Sequence, residues 1–516
     1  MPDPKRRASP EPLVVGTRDH TVYGQHMTFQ EQLADSLKSA PWYFISLAAH
    51  IVAYLILMNV SLGSAPVQEE PVVLQADSLQ DEVPILEEEP PPPEPEKPPE
   101  EEVVVDEPVV SDEVETVNVS DENNPINESL GPFEGKGLND VIGAGGGGGG
   151  GSGKYGKRRG VGKGGGTAQQ KAVDLGLEWL KNHQSPDGYW DSDGFSQMCK
   201  LNKCDGPGGA LHDVGNTGVA LLAFLGAGNT LNTGRYKEVL KKGLKYLVEM
   251  QDPDDGCFGP KAHQHFMYNH ALAALAMVEG FYLSRAPHLK NAAQKGVEFV
   301  QRARNPYKAW RYAYPPDGDN DVSVSGWMLF VLFAAKDAGL QVEDASIKDG
   351  MAFIDEMTDQ ATWRTGYHEK GSPPAREVED MDKWPQDKSE SMTAVALLVR
   401  FFDKQDPGTS EAMKGAATLL GRCLPTWDTG AGTIDFYYWY YASYAMYQMS
   451  GKYWKEWQDK MLDAVVRSQR TDGDEKGSWD PQVDPWGDAG GRVYSTAINT
   501  LCLEVFYRYD KIFGAR

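Results

Sequence analysis

Five cysteines in 516 residues are too few to staple a chain of this length, so disulfides do not build its framework. Cys199 and Cys204 are close enough to pair within one loop if the compartment is oxidising, and two free thiols are the alternative. Neither has a four-ligand zinc spacing. Bases are scarce where acid is dense. Between Glu69 and Glu128 about twenty carboxylates meet a single base, Lys97, and this stretch accounts for most of the net charge of −25. The charge therefore describes a tail rather than a fold. No basic patch of the kind that reads a phosphate backbone is evident in the folded part, and the five bases Lys154, Lys157, Arg158, Arg159 and Lys163 lie in the glycine-rich linker, so nucleic acid is not an expected partner.

One long apolar run is present. Trp42 to Leu62 is about 21 residues without a formally charged side chain, enough to cross a bilayer as a helix. Lys38 precedes it, with Lys5, Arg6, Arg7 and Arg18 upstream, and Glu69 and Glu70 open the far side. By the positive-inside rule residues 1–41 are cytoplasmic and everything after Leu62 is exported, as in a single-pass protein of a bacterial-type inner membrane. A cleaved signal peptide is the alternative, but the run starts late and is too long for an h-region. Residues 63–166 lack sustained periodicity. The Pro90–Pro93 run and like-charge repulsion predict an extended, solvated spacer, and the glycines at 145–151 a flexible hinge.

His50 lies mid-span, where an ionisable group is costly and usually functional, with Ser46 four residues earlier on the same helical face. This pattern, followed by EEEPPPPEPEKPPEEE, resembles the anchor and spacer of TonB-type energy transducers over about residues 40–105. The resemblance implies that Ser46 and His50 contact a proton-driven motor complex in the inner membrane. The usual C-terminal domain of that family is not recognisable. The plainer reading is an anchor helix with one tolerated neutral histidine.

From Ala172 onward a two-helix unit recurs six times. First helices fall near 171–184, 237–251, 290–303, 346–357, 411–423 and 457–469. Second helices fall near 215–228, 267–284, 322–338, 390–403, 435–449 and 493–508. The second set is apolar nearly all round, as in HALAALAMV and WMLFVLFAA, and a helix apolar on every face must be buried on every face. The first set keeps Lys and Glu on one side and belongs outside. Twelve alternating helices of these kinds close most simply as two concentric rings. The predicted fold is all-α, an (α/α)6 toroid over 167–516 preceded by a transmembrane helix and a disordered linker.

The turn after the first helix reads GLEWLKNHQSPDGYW from Gly176 and GLKYLVEMQDPDDGCF from Gly243, with weaker copies ending at Trp310 and Trp479. This resembles the Q-W repeat of squalene–hopene cyclases and related terpene cyclases, whose toroid protein prenyltransferase β-subunits share. Gln184 and Gln251 are suited to bonding backbone at a helix end, and Trp190 and Phe258 to packing over the next hairpin. That is stability chemistry and assigns no activity. Complement-type thioester domains also form such rings, but the Cys-Gly-Glu-Gln sequence they require is absent.

In such a ring the second helices start around one mouth. Polar residues cluster at those starts: Asn216 and Thr217, Asn269 and His270, Asp321 and Ser323, Glu390 and Ser391, Asp435 and Tyr438, Tyr494 and Ser495. Asn269, His270, Ser323, Asp435, Tyr438 and the aromatic Trp327 are expected to form a binding rim; six helix caps are the competing explanation. Class II terpene cyclases protonate an alkene with a D-x-D-D motif, and Asp319-Asn320-Asp321-Val322 matches it at two aspartates. The resemblance makes Asp319 and Asp321 the catalytic candidates, and Val322 in place of the last aspartate leaves the acid incomplete. Asp255-Gly256-Cys257 has the local spacing of a prenyltransferase zinc pair but lies in the Q-W turn, and His263-Gln264-His265 reads as an exposed loop. No metal or cofactor is expected. The function expected is a membrane-anchored binding or scaffold module with a central apolar cavity for an apolar or isoprenoid ligand. A cyclase-like or isoprenoid-processing enzyme is the alternative.

Overall fold

A computed structural model describes residues 168–508 of the chain. The expected cytoplasmic segment, the anchor at 42–62 with Ser46 and His50, and the linker at 63–166 lie outside the described residues. Among the described residues no helix is long and apolar enough to cross a membrane.

Among the described residues there are twelve α-helices and no strands, and the β pairing is two isolated bridges, Gln251 with Phe258 and Thr358 with Thr365. The outer helices are α1 (Ala168–Asn182), α3 (Lys237–Glu249), α5 (Pro287–Arg302), α7 (Asp344–Glu356), α9 (Glu411–Leu420) and α11 (Gly451–Ser468). The inner helices are α2 (Asp213–Gly226), α4 (Phe266–Ser284), α6 (Val322–Asp337), α8 (Ser391–Phe402), α10 (Phe436–Met449) and α12 (Gly487–Arg508). Periodicity explains the division. In α3 the buried residues are Val239, Leu240, Gly243, Leu244 and Leu247, one stripe at helical spacing. In α6 every residue from Val322 to Ala335 is buried. Inner helices pack in chain order, α2 on α4 through to α10 on α12, and α12 returns to α2, which closes the ring.

The two helix starts that differ most from the sequence expectation are those of α11 and α12. Helix α11 starts at Gly451, earlier than 457, because Ser450 breaks the chain with a φ of 65° and the amphipathic pattern then runs unbroken. Helix α12 starts at Gly487 but is interrupted at Gly491, whose φ is 67°; a Cβ there would meet the Gly208 backbone nitrogen at 2.4 Å.

The repeat turns stitch neighbouring hairpins. Gln184 Nε2 donates to Gly188 O of its own turn (2.7 Å) and to Val239 O on α3 (3.0 Å). Gln251 repeats this with Gly256 O and Ala292 O on α5, at 3.0 and 2.9 Å. Gln469 does so with Gly477 O at 3.0 Å and Ala172 O at 2.8 Å, joining the last hairpin to α1. In the third turn Arg304 reaches the next outer helix through Asp349, at 2.6 Å. The aromatic that ends the turn is buried, and its indole donates back to the outer helix: Trp190 to Leu180 O, Trp310 to Val300 O, Trp479 to Val465 O, all within 2.7–2.8 Å. The motif glycine on the next outer helix makes room for that ring: a Cβ on Gly296 would lie 2.6 Å from Phe258, and one on Gly350 2.9 Å from Trp310.

Candidate active site at the mouth of the ring

Because each inner helix follows an outer helix and a turn, all six inner N-termini open on one face. Several of the expected rim residues are structural there. The turn aromatic needs an acceptor for its backbone N–H, and the inner helix supplies one: Thr217 Oγ1 for Trp190 and Ser325 Oγ for Trp310, both at 3.1 Å, while in the fourth hairpin Thr393 Oγ1 does the same at 3.2 Å for Thr365, a threonine in the aromatic's place. His270 holds that same place in the second hairpin. Its Nδ1 accepts from Phe258 N at 3.0 Å and its Nε2 donates to Gly296 O at 3.2 Å. It is fully buried, and burial pushes its pKa down to about 3, so it is a neutral packing residue away from the rim. Tyr438 points outward, its hydroxyl on Leu420 O of α9. Asp435 caps α10 through Tyr438 N (2.9 Å), and its other oxygen accepts from Arg376 (2.5 Å) and Ser389 (2.9 Å), leaving it committed. Asp484 beside it bonds the Phe436 and Trp486 amides, and burial next to Asp435 raises its pKa. Trp327 lies inside the ring, stacked on Tyr440 with centroids 5.9 Å apart.

The other expected residues do gather at the mouth. Asp321 caps α6 through Val324 N at 2.8 Å. Its second oxygen, Oδ2, is buried without a close hydrogen bond, facing Arg311 Nε at 3.7 Å and the Tyr367 hydroxyl. Burial raises its pKa to about 7, against the pull of the Val324 amide and the Arg311 charge. The Tyr367 and Tyr312 hydroxyls bond each other, and Tyr312 is half-buried at the surface. Tyr268 donates to Ser323 Oγ, which also bonds the Tyr437 hydroxyl, both at 2.9 Å. Asp319 lies 69% exposed in a cleft of about 590 Å³ beside Lys308, Phe353 and His368. Arg311 joins the two expected acids, with Nη1 at 3.4 Å from Asp319.

Next to this network stand three half-buried histidines. His212 Nδ1 bonds Asn269 Oδ1 at 3.1 Å, Asn269 Nδ2 donates to Leu211 O at 2.8 Å, and the ligand atoms of His212, His263 and His265 gather within 4.8 Å of one another. Of the loop expected to be exposed at His263-Gln264-His265, Gln264 is exposed but the two histidines are half-buried, held against the rim by Asn269 and His212. Burial lowers the pKa of His212 and His265, so both are neutral near pH 7 and able to accept a proton or hold a divalent ion. The His265 ring sits 5.7 Å from that of Tyr312, which makes the histidines and the Asp321 network one patch. Arg311, Tyr312, Tyr367 and His212 were not singled out from sequence, and His265 was placed only in an exposed loop. The available signal was positional: each histidine stands just before an inner helix, as Asp321 does.

Helices α6 and α10 are separated by α8 round the ring, yet Trp327 meets Tyr440 and Tyr441 and Ser323 bonds Tyr437, so these side chains reach into the interior between them. No family model matches the sequence, and no curated protein does. Solved structures do share the fold. A cellobiose 2-epimerase from Bacillus thermoamylovorans is 14% identical, covering 66% of this chain and 97% of its own, with a TM-score of 0.46. An α-1,6-mannanase of Salegentibacter sp. is 10% identical over 66% and 100%, with a TM-score of 0.46. A type II terpene cyclase from Scytonema is 11% identical over 66% and 98%, with a TM-score of 0.42. The expected binding or scaffold module with a central apolar cavity is thereby corrected. The proteins of like fold are titled as enzymes, mostly on carbohydrates. What the chain shares with all of them is the architecture: it is an α/α toroid.

Proposed function

We propose that the mouth of the ring is an acid–base active site for a polyhydroxylated, carbohydrate-type substrate. Tyr312 and His265 touch the substrate, and Asp321 is the proton reservoir behind them. One observation carries the reading: a fully buried carboxyl with one uncommitted oxygen, titrating at about 7, linked through Tyr367 to a hydroxyl at the surface. A group titrating near working pH can both give and take a proton. In the forward step Tyr312 passes its proton to a substrate oxygen, Tyr367 replaces it, and Asp321 replaces that of Tyr367 and is left as carboxylate. Neutral His265 accepts the proton released elsewhere on the substrate. The lining of hydroxyls, imidazoles and one guanidinium suits a ligand rich in hydroxyl groups, and the tyrosine rings offer flat faces to a sugar ring. Asp319 serves to position Arg311.

The test is turnover of α- and β-linked oligosaccharides by the full chain, followed by NMR. Asp321→Asn keeps the cap oxygen and is expected to lower kcat roughly 10²–10⁴-fold, with the folded state intact. Absence of any bound or converted saccharide at millimolar concentration, or an undiminished kcat in the variant, would defeat the reading.

The N-terminal region enters this proposal on sequence alone. We read 42–62 as a single-pass inner-membrane anchor with the toroid extracytoplasmic, and Ser46 and His50 as the contact with a TonB-type proton-driven partner. Kinship with the Q-W repeat superfamily of squalene–hopene cyclases rests on the turns described above.

A further inference from the structure

Away from the mouth, at the seam where the first and last hairpins meet, we propose a binding site for a thiophilic divalent metal ion, of which zinc is the type, held by His183, Cys199 and Cys204. Cys199 Sγ and Cys204 Sγ are 3.2 Å apart, and each lies 3.5 Å from His183 Nε2. Tetrahedral zinc with bonds of about 2.3 Å to sulfur and about 2.05 Å to nitrogen sets sulfur–sulfur and sulfur–nitrogen separations of about 3.8 and about 3.6 Å. The three atoms therefore surround a point that one ion fits after a shift of a few tenths of an ångström.

The surroundings prepare the ligands. Trp179 O accepts a hydrogen bond from His183 Nδ1 at 2.8 Å; a carbonyl can only accept, so the proton is on Nδ1 and the lone pair of Nε2 faces the sulfurs. An outer-sphere carbonyl of this kind commonly fixes a metal-binding histidine. Trp179 stacks on the imidazole at 4.0 Å and locks its plane. Cys204 N–H donates to Cys199 Sγ at 3.2 Å, a bond that favours the thiolate. The loop between the cysteines is pinned from the far end of the chain: Asp474 Oδ2 accepts from Leu201 N and Asn202 N at 2.5 and 2.8 Å. Arg492, fully buried and paired with Glu475 and Asp480, lies within charge range of both sulfurs.

Binding releases the two thiol protons and leaves the fourth position, on the half-buried Cys199 side, to solvent. Because the loop of the first hairpin is anchored to Asp474 of the last, the ion clamps the closure of the ring. The acid–base site and this one share no residue, and either can fail alone.

The probe is Co²⁺ alone, added under anaerobic, reducing conditions to the full chain after chelation. The ion bound here is expected to give a thiolate-to-cobalt charge-transfer band that Zn²⁺ erases, which an ion on the three rim histidines cannot give. Cys199→Ser and Cys204→Ser each remove the band, while Cys257→Ser and Cys502→Ser keep it. A second measurement needs no variant: saturating Zn²⁺ should protect two thiols from alkylation, mapped by peptide mass spectrometry to Cys199 and Cys204. Lack of the band, unprotected thiols, or a Cys199–Cys204 disulfide in the unreduced chain from its native compartment would each overturn the site.

Discussion

At the scale of single residues the governing quantity is the cost of burying charge. Asp321 titrates at about 7 in the fold and at 3.8 as an ordinary carboxyl. Between those values the folded chain keeps a proton that the unfolded chain has released. Asp321 therefore favours folding less and less as pH rises from about 4 to about 7, and its effect is flat above that. Asp321→Asn carries no such cost. The stability of the variant relative to the parent should grow by on the order of a few kcal/mol between pH 5 and pH 8, measured by denaturant unfolding. A difference that does not change with pH would mean that Asp321 is ionised throughout. His270 acts in the opposite sense, its pKa of about 3 lying below the ordinary 6.5, so its share is lost as pH falls below about 6.5. It is present in both proteins and cancels. Sequence reading placed His270 on the rim because it stands at a helix start. The turn register assigns it otherwise, since an acceptor is needed wherever a turn aromatic presents its N–H, and imidazole here replaces the hydroxyls of Thr217 and Ser325.

At the scale of elements the glutamine is the part that crosses from one hairpin to the next. Gln469→Ala would leave the carbonyls of Ala172 and Gly477 without their amide partner inside the fold. The expected loss is roughly 1–3 kcal/mol, with faster amide exchange in α1 and α11 than in α6 on the far side of the ring. Uniform acceleration, or none, would argue that the seam is not a separate unit. The helices themselves were legible because the outer ones have one wet face and the inner ones have none, and these two conditions leave different periods in a sequence. The expectation of α11 from 457 leaves 450–456 as a turn, whereas Ser450 alone makes the reversal and the helix resumes at Gly451.

At the scale of the whole molecule closure decides both stability and chemistry. Helix α12 packs against α1 and α2, and it is this return that brings residues from opposite ends of the sequence together. The proposed membrane anchor belongs to this scale too. Deleting residues 42–62 is expected to release the chain from membranes that otherwise retain it after alkaline extraction; a full-length chain washed off by the same treatment would remove the anchor from the picture.

Sequence by itself determined the all-α class, the six hairpins, the inner and outer sorting of helices, and the repeat turns. Each of these is settled within a stretch of chain no longer than one hairpin and its neighbour. Tertiary structure alone decided which polar residues share a site. Asp321, Tyr367, Tyr268, Tyr437 and the three histidines come from several hairpins, and the Trp179 indole beside His183 meets Asp474 O across 295 residues. Their chemistry depends on distance and burial, and those exist only once the ring has closed.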